Sequence, residues 1–176
     1  MNVNRTIISF RSKLLNLSFL KFMLFQFLVL VMVQFIFLVL MACLAVHNGL
    51  LENVGSYAHP INYCSTMIKY FFGALFETYV FQAILYHAMR SSNPFSPLKY
   101  VLLSSILFGF AHIFNMDFNG YFSVEITRIL MLCCAGIVYA TSYYILMKKG
   151  KAAFVWVALM HFIYNMGVLN ASYFFQ

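Results

Sequence analysis

What most constrains this chain is a succession of five apolar windows, at residues of roughly 22–46, 66–89, 100–116, 126–147 and 152–172. An α-helix needs about 20 such residues to cross the hydrocarbon core of a bilayer, and these windows reach or approach that length. Between them stand "HNGLLENVGSYAHPIN", "RSSNPFSPLK", "DFNGYFSVE" and "KKGK", each carrying the Gly, Pro, Asn or charge that ends a helix. With 64% of its 176 residues hydrophobic and 9% charged, the chain has too few polar groups to cover a soluble domain. The expected fold is all-α, a polytopic membrane helix bundle with about five transmembrane helices over residues 22–172, after a basic segment at 1–21. No soluble module, Gly/Ser linker or fixed-period repeat interrupts it.

A net charge of +7 would suggest nucleic acid in a soluble protein, but the eleven Lys and Arg cluster at the ends of apolar runs, where basic residues set topology. No nucleic-acid partner is therefore expected; the first partner is lipid. Arg5, Arg11, Lys13 and Lys21 precede the first span, Arg90 and Lys99 follow the second, and Lys148, Lys149 and Lys151 follow the fourth. The alternate loops carry Glu52, Asp117 and Glu125. By the positive-inside rule this is a multi-pass cell-membrane protein with its N-terminus in the cytoplasm and its C-terminus outside. Lys69 and Arg128 break the pattern, each near an outer helix end where a long side chain can snorkel. Residues 5–21 mix apolar and basic side chains and suit either a surface helix or an ordinary basic flank.

The first run is too long for a secretory signal, and no A-x-A site follows it. "LMAC" at Leu40–Cys43 only faintly resembles a lipoprotein cleavage box, and further spans follow. Cys43, Cys64, Cys133 and Cys134 have no C-x-x-C spacing, so they read as apolar fillers, with a Cys43–Cys64 disulfide left open.

An ionisable group at the centre of a span costs about 2.5–3.5 kcal/mol on insertion scales, so each one needs a reason. Glu77, His112 and His161 stand out, lying 13, 13 and 10 residues from Arg90, Lys99 and Lys151 in turn. At about 1.5 Å per residue that places all three roughly 15–20 Å from the inner face. Three helices thus hold their costly residue in one layer, as a shared site demands. Asn165 follows His161 by four residues and Phe108 precedes His112 by four, so each pair shares a helix face. A carboxylate, two imidazoles and an amide suit amide hydrolysis, with a base for water and donors for an oxyanion. His47 and His59 in the outer loop and His87 near the inner end read as surface residues.

Glu77, then Phe108-x-x-x-His112, then His161-x-x-x-Asn165, on successive helices, resemble the CPBP family of intramembrane proteases. That family includes CAAX prenyl endopeptidases and Abi-type bacteriocin-processing and immunity proteins, and its pattern reads E-E-x-x-x-R, F-x-x-x-H, H-x-x-x-N/D. The likeness covers residues 77–165, within a family-like core of about 66–170. It implies an intramembrane endopeptidase acting on a membrane-associated peptide or protein, with Glu77, His112, His161 and Asn165 catalytic. Thr78 and Gln82 stand where the family has its second Glu and its Arg. Both replacements are neutral and leave no orphan charge; with Phe108 they are the expected supporting residues.

The resemblance leaves metal dependence open. Glu77 is the only carboxylate in the layer, Asp117 and Glu125 being expected in an outer loop. If Glu77 ligated a metal no base would remain, so a metal-free reading with no cofactor is favoured. The alternative is a divalent metal such as zinc on His112, His161 and Glu77. A nucleophilic Ser104, Ser105, Cys133 or Cys134 is a weaker reading, because no G-x-S-G motif flanks the serines. A non-catalytic relative acting as an immunity or scaffold protein is the runner-up. A transporter is disfavoured by the lack of duplicated halves.

Overall fold

The computed structural model describes residues 16–47, 63–91, 94–115 and 122–174. Among the described residues the main α-helices follow one another as α1 (Phe19–His47), α2 (Tyr63–Glu77), α3 (Leu85–Arg90), α4 (Pro97–Ala111), α5 (Phe122–Lys148) and α6 (Ala153–Phe174). A π-helical segment, Thr78–Ile84, joins α2 to α3 without a break, and a 3-10 turn, His112–Asn115, finishes α4. These elements coincide with the five apolar windows, and no strand occurs among the described residues. The protein is an all-helical membrane bundle. Phe19–Leu44 and Glu125–Lys148 are each long and apolar enough to cross a bilayer, while Pro97–Ala111 and Ala153–Gly167 are shorter apolar helices. Of the basic leader, residues up to 15 lie outside the described residues.

The bundle is apolar outside, and its interior mixes an apolar core with buried polar side chains. Phe35, Phe72, Phe76 and Phe110 are all more than half exposed, a surface that only lipid can cover at that scale. Gln26, Thr78, Gln82, Ser104, Ser105, Ser142 and His161 are buried instead. Helix association in lipid relies on such close packing and internal hydrogen bonds, because burial of apolar groups gains little there. The α4–α5 seam follows this rule. A Cβ on Gly136 would stand 2.8 Å from Ser105 Cα, and one on Gly109 would overlap Cys133 Sγ, so both glycines permit a backbone approach that seats α4 against the middle of α5.

One end of the bundle carries the basic residues and an aromatic cluster. Tyr86 packs on Phe95, Tyr100 and Tyr143 at ring separations of 5.7, 5.3 and 5.5 Å. Ser96 caps α4 by accepting from Lys99 N–H, with Pro97 in its first turn. Between α5 and α6, Gly150 takes φ +63, while Lys151 N–H reaches Leu146 O and Gly150 N–H reaches Met147 O. That pair of bonds is a Schellman stop. Lys149 Nζ donates to Leu17 O at 2.6 Å, fastening the start of α1 to this turn.

All four cysteines are free, and Cys43 and Cys64 each face outward from their own helices. The disulfide left open by the sequence is therefore not formed.

Candidate active site

Glu77 is the last residue of α2, and the π-helical segment begins immediately after it. A π-turn shifts each hydrogen bond to i→i+5, and such turns recur at functional sites. Here the surroundings satisfy the displaced backbone carbonyls. Gln82, oriented with its amide nitrogen toward them, donates to Glu77 O at 3.1 Å and to Thr78 O at 3.3 Å. Ser104 Oγ donates to Phe81 O at 2.7 Å and Tyr100 Oη to Gln82 O at 3.2 Å. Two residues of α4 and one of the segment itself thus fix the backbone that carries Glu77. Thr78 Oγ1 is buried without a hydrogen-bond partner, so Gln82 bonds the Thr78 backbone and not its side chain.

Glu77 Oε2 lies 3.5 Å from His161 Nε2 and 3.9 Å from His112 Nε2. His112 caps α4, and its Nδ1 stands 2.8 Å from Phe108 O. A carbonyl only accepts, so Nδ1 carries the hydrogen and Nε2 of the neutral ring is an acceptor turned toward Glu77. The Phe108 ring packs against both imidazoles, 5.0 Å from His112 and 5.6 Å from His161. Phe108 therefore orients one histidine through its carbonyl and spaces both through its ring. His161 is buried, and its other face stacks on Tyr139 at 4.5 Å and 29°.

These side chains border one cavity of about 610 Å³, which Asn165, Tyr164 and Gln34 also line. Gly73, one turn before Glu77, leaves room there: a Cβ would reach only ordinary contact, 3.9 Å from Glu77 Oε1. Tyr164 Oη donates to Gln34 Oε1, linking α6 to α1 at the cavity wall. The structure thus gathers Glu77, Phe108, His112, His161 and Asn165, and sets Thr78 and Gln82 fully buried behind them.

Several lining residues escaped the sequence reading. Tyr139 gave no signal, being one of twelve tyrosines in an aromatic-rich chain. Lys69 and Arg128 were noted only as exceptions to the charge pattern, yet both line the cavity. Glu125, expected in an outer loop, sits in the first turn of α5, lines the same cavity and faces Arg128 at 3.9 Å. Glu77 is therefore not the only carboxylate of the cavity. The position was misread because α5 begins at Phe122, within the stretch read as loop. Asp117 and His59 lie outside the described residues. The serines are spoken for: Ser104 holds Phe81 O, and Ser105 Oγ donates to Leu102 O of its own helix at 2.9 Å. Neither borders the cavity, and neither do Cys133 and Cys134.

The sequence profile of the type II CAAX prenyl endopeptidases of Rce1-like type matches residues 60–167, more than half of the chain. The chain belongs to the Rce1-like family. This is a family of peptidases, whose substrates are membrane-associated peptides or proteins. The matched stretch runs from α2 into α6 and contains every one of Glu77, Phe108, His112, His161 and Asn165, whereas α1 lies outside it. Neither the comparison with curated proteins nor that with solved structures returns a match.

Proposed function

We propose that the protein is an intramembrane endopeptidase in which Glu77 activates water against a peptide bond of a membrane-associated substrate. The observation that carries this reading is the position of one carboxylate oxygen within 4 Å of both imidazole Nε2 atoms, at the wall of a cavity of about 610 Å³. Water entering between Glu77 and His112 has two acceptors to donate to, the carboxylate and the His112 Nε2 lone pair. Glu77 takes the proton as oxygen attacks the scissile carbonyl carbon. The oxyanion that forms is held by the Asn165 amide and by His161 Nε2–H. Collapse of the tetrahedral intermediate breaks the C–N bond, and Glu77 returns its proton to the leaving amine. Gln82 holds the backbone under Glu77, which is why a neutral residue serves at that position.

A divalent metal such as zinc, if held here, would take His112, His161 and Glu77 as ligands and supply a metal-bound water. Among the described residues, no group of three His, Cys, Asp or Glu side chains is disposed to hold such an ion.

The test is purification in detergent with a panel of membrane-peptide substrates, comparing wild type with Glu77→Gln, each with and without chelator. The expected outcome is cleavage that survives chelation and falls by about 10²-fold or more in the variant. Cleavage abolished by chelator would replace the metal-free mechanism. Cleavage by Glu77→Gln equal to wild type would overturn Glu77 as the base, and a wild type that cleaves no peptide of the panel would favour the other reading, an inactive relative that binds partners as an immunity or scaffold protein.

A further inference from the structure

α1 lies outside the stretch that the family profile matches, yet it forms part of the cavity wall. Phe22, Gln26 and Leu30 follow one another at intervals of four along a single ridge and are buried against the bundle. Gln34 is the next residue on that ridge, and there the packing gives way: it is half-buried and borders the cavity. Met41, seven residues and so two turns further on, borders it too. Phe35, Ile36, Leu38, Val39 and Leu40 between them are exposed to lipid. α1 therefore gives the cavity a strip about 10 Å long, enough to run beside about three residues of an extended chain.

The strip begins at the depth of Glu77. Gln34 follows Lys21 by thirteen residues, the same interval that separates Glu77 from Arg90 and His112 from Lys99, and Lys149 Nζ, bonded to Leu17 O, holds the start of α1 at the basic end. An amide in hydrocarbon is costly unless it is hydrogen-bonded. Tyr164 Oη donates to Gln34 Oε1, which satisfies the oxygen and turns the amide nitrogen away from Tyr164. That nitrogen carries two N–H donors and has no protein partner among the described residues. An acceptor held in the cavity would complete it, and along an extended peptide the recurring acceptor is the backbone carbonyl. We infer that Gln34 is a substrate-binding residue supplied by α1, its Nε2 donating to a backbone carbonyl of the peptide held in the cavity. That the ligand is a peptide rests on the protease reading above; that Gln34 offers a donor to the cavity does not.

Binding and turnover of the membrane-peptide panel, fluorescently labelled and measured on the full chain in detergent, test it. Gln34→Leu is expected to raise KM by roughly five- to tenfold, the worth of one hydrogen bond, to leave kcat within about twofold, and to weaken binding of the same peptide to the Glu77→Gln chain by the same factor as KM. Tyr164→Phe separates this role from a purely structural bond between α1 and α6. A residue that meets the peptide weakens binding by a like factor when Gln34→Leu is made in the Tyr164→Phe chain; a residue that acts only through Tyr164 has no effect there, and that result overturns the inference. A Gln34→Leu chain that binds like wild type overturns it as well, and so does a wild-type chain that binds no peptide of the panel. Gln34→Met, which keeps the length of the side chain and removes its donors, carries the same comparison where Leu disturbs folding. Peptide that binds through Gln34 without being cleaved retains this inference and loses the protease reading, and cleavage indifferent to Gln34 does the reverse.

Discussion

Tyr139 shows how much a single side chain contributes here without any motif to announce it. Its ring is stacked on His161 and stands edge-on to Phe108 at 5.7 Å, while its hydroxyl is buried with no hydrogen-bond partner. These two parts make opposite contributions to stability. The ring supplies packing, and truncating a buried aromatic costs about 3–5 kcal/mol. The lone hydroxyl is a desolvation penalty of about 1–3 kcal/mol. Tyr139→Ala should therefore lower the unfolding temperature in detergent markedly and leave His161 unsupported, whereas Tyr139→Phe should unfold at or above the wild-type temperature. A Phe variant as damaged as the Ala variant would mean that the hydroxyl, and not the ring, is what the fold uses.

The element that decides the site is the π-helical segment. Thr78 and Gln82 stand four residues apart, a spacing that brings side chains together on a helix of ordinary α pitch. The wider turn redirects Gln82 to the carbonyls of Glu77 and Thr78, a change that no pattern of apolar residues encodes. Gln82→Leu should remove the amide's added bonds to both carbonyls and reduce kcat more than KM, because it moves the base and not the binding walls. Introducing the family residue alone should be worse still: Gln82→Arg buries a cation in a site that is 0% exposed, and an uncompensated buried charge costs about 3–5 kcal/mol. Adding Thr78→Glu should recover part of that loss. Unfolding temperatures of the two single variants and the double variant, compared as a cycle, measure the coupling; strict additivity would show that the two positions do not communicate.

At the scale of the whole molecule, a lipid-facing outside and a packed interior give the same residue type opposite weights on one helix. Phe22 is 0% exposed against the bundle and Phe35 is 63% exposed. Phe22→Ala should leave a cavity against the bundle and lower the unfolding temperature, and Phe35→Ala, which only exchanges lipid contacts, should change it little; equal effects would mean that α1 packs by its other face. Hydropathy and spacing were enough to determine the class of the fold, the five windows and the convergence of Glu77, His112, His161, Asn165 and Phe108, because the cost of placing a polar group in hydrocarbon depends on its depth, and depth is countable along a chain. Tertiary structure alone decided the π-turn under Glu77, the stacking of Tyr139 and the entry of Glu125, Lys69 and Arg128 into the cavity. Those features depend on which faces meet across neighbouring helices, and lateral packing is fixed by side-chain shape and backbone proximity, which have no linear period to read.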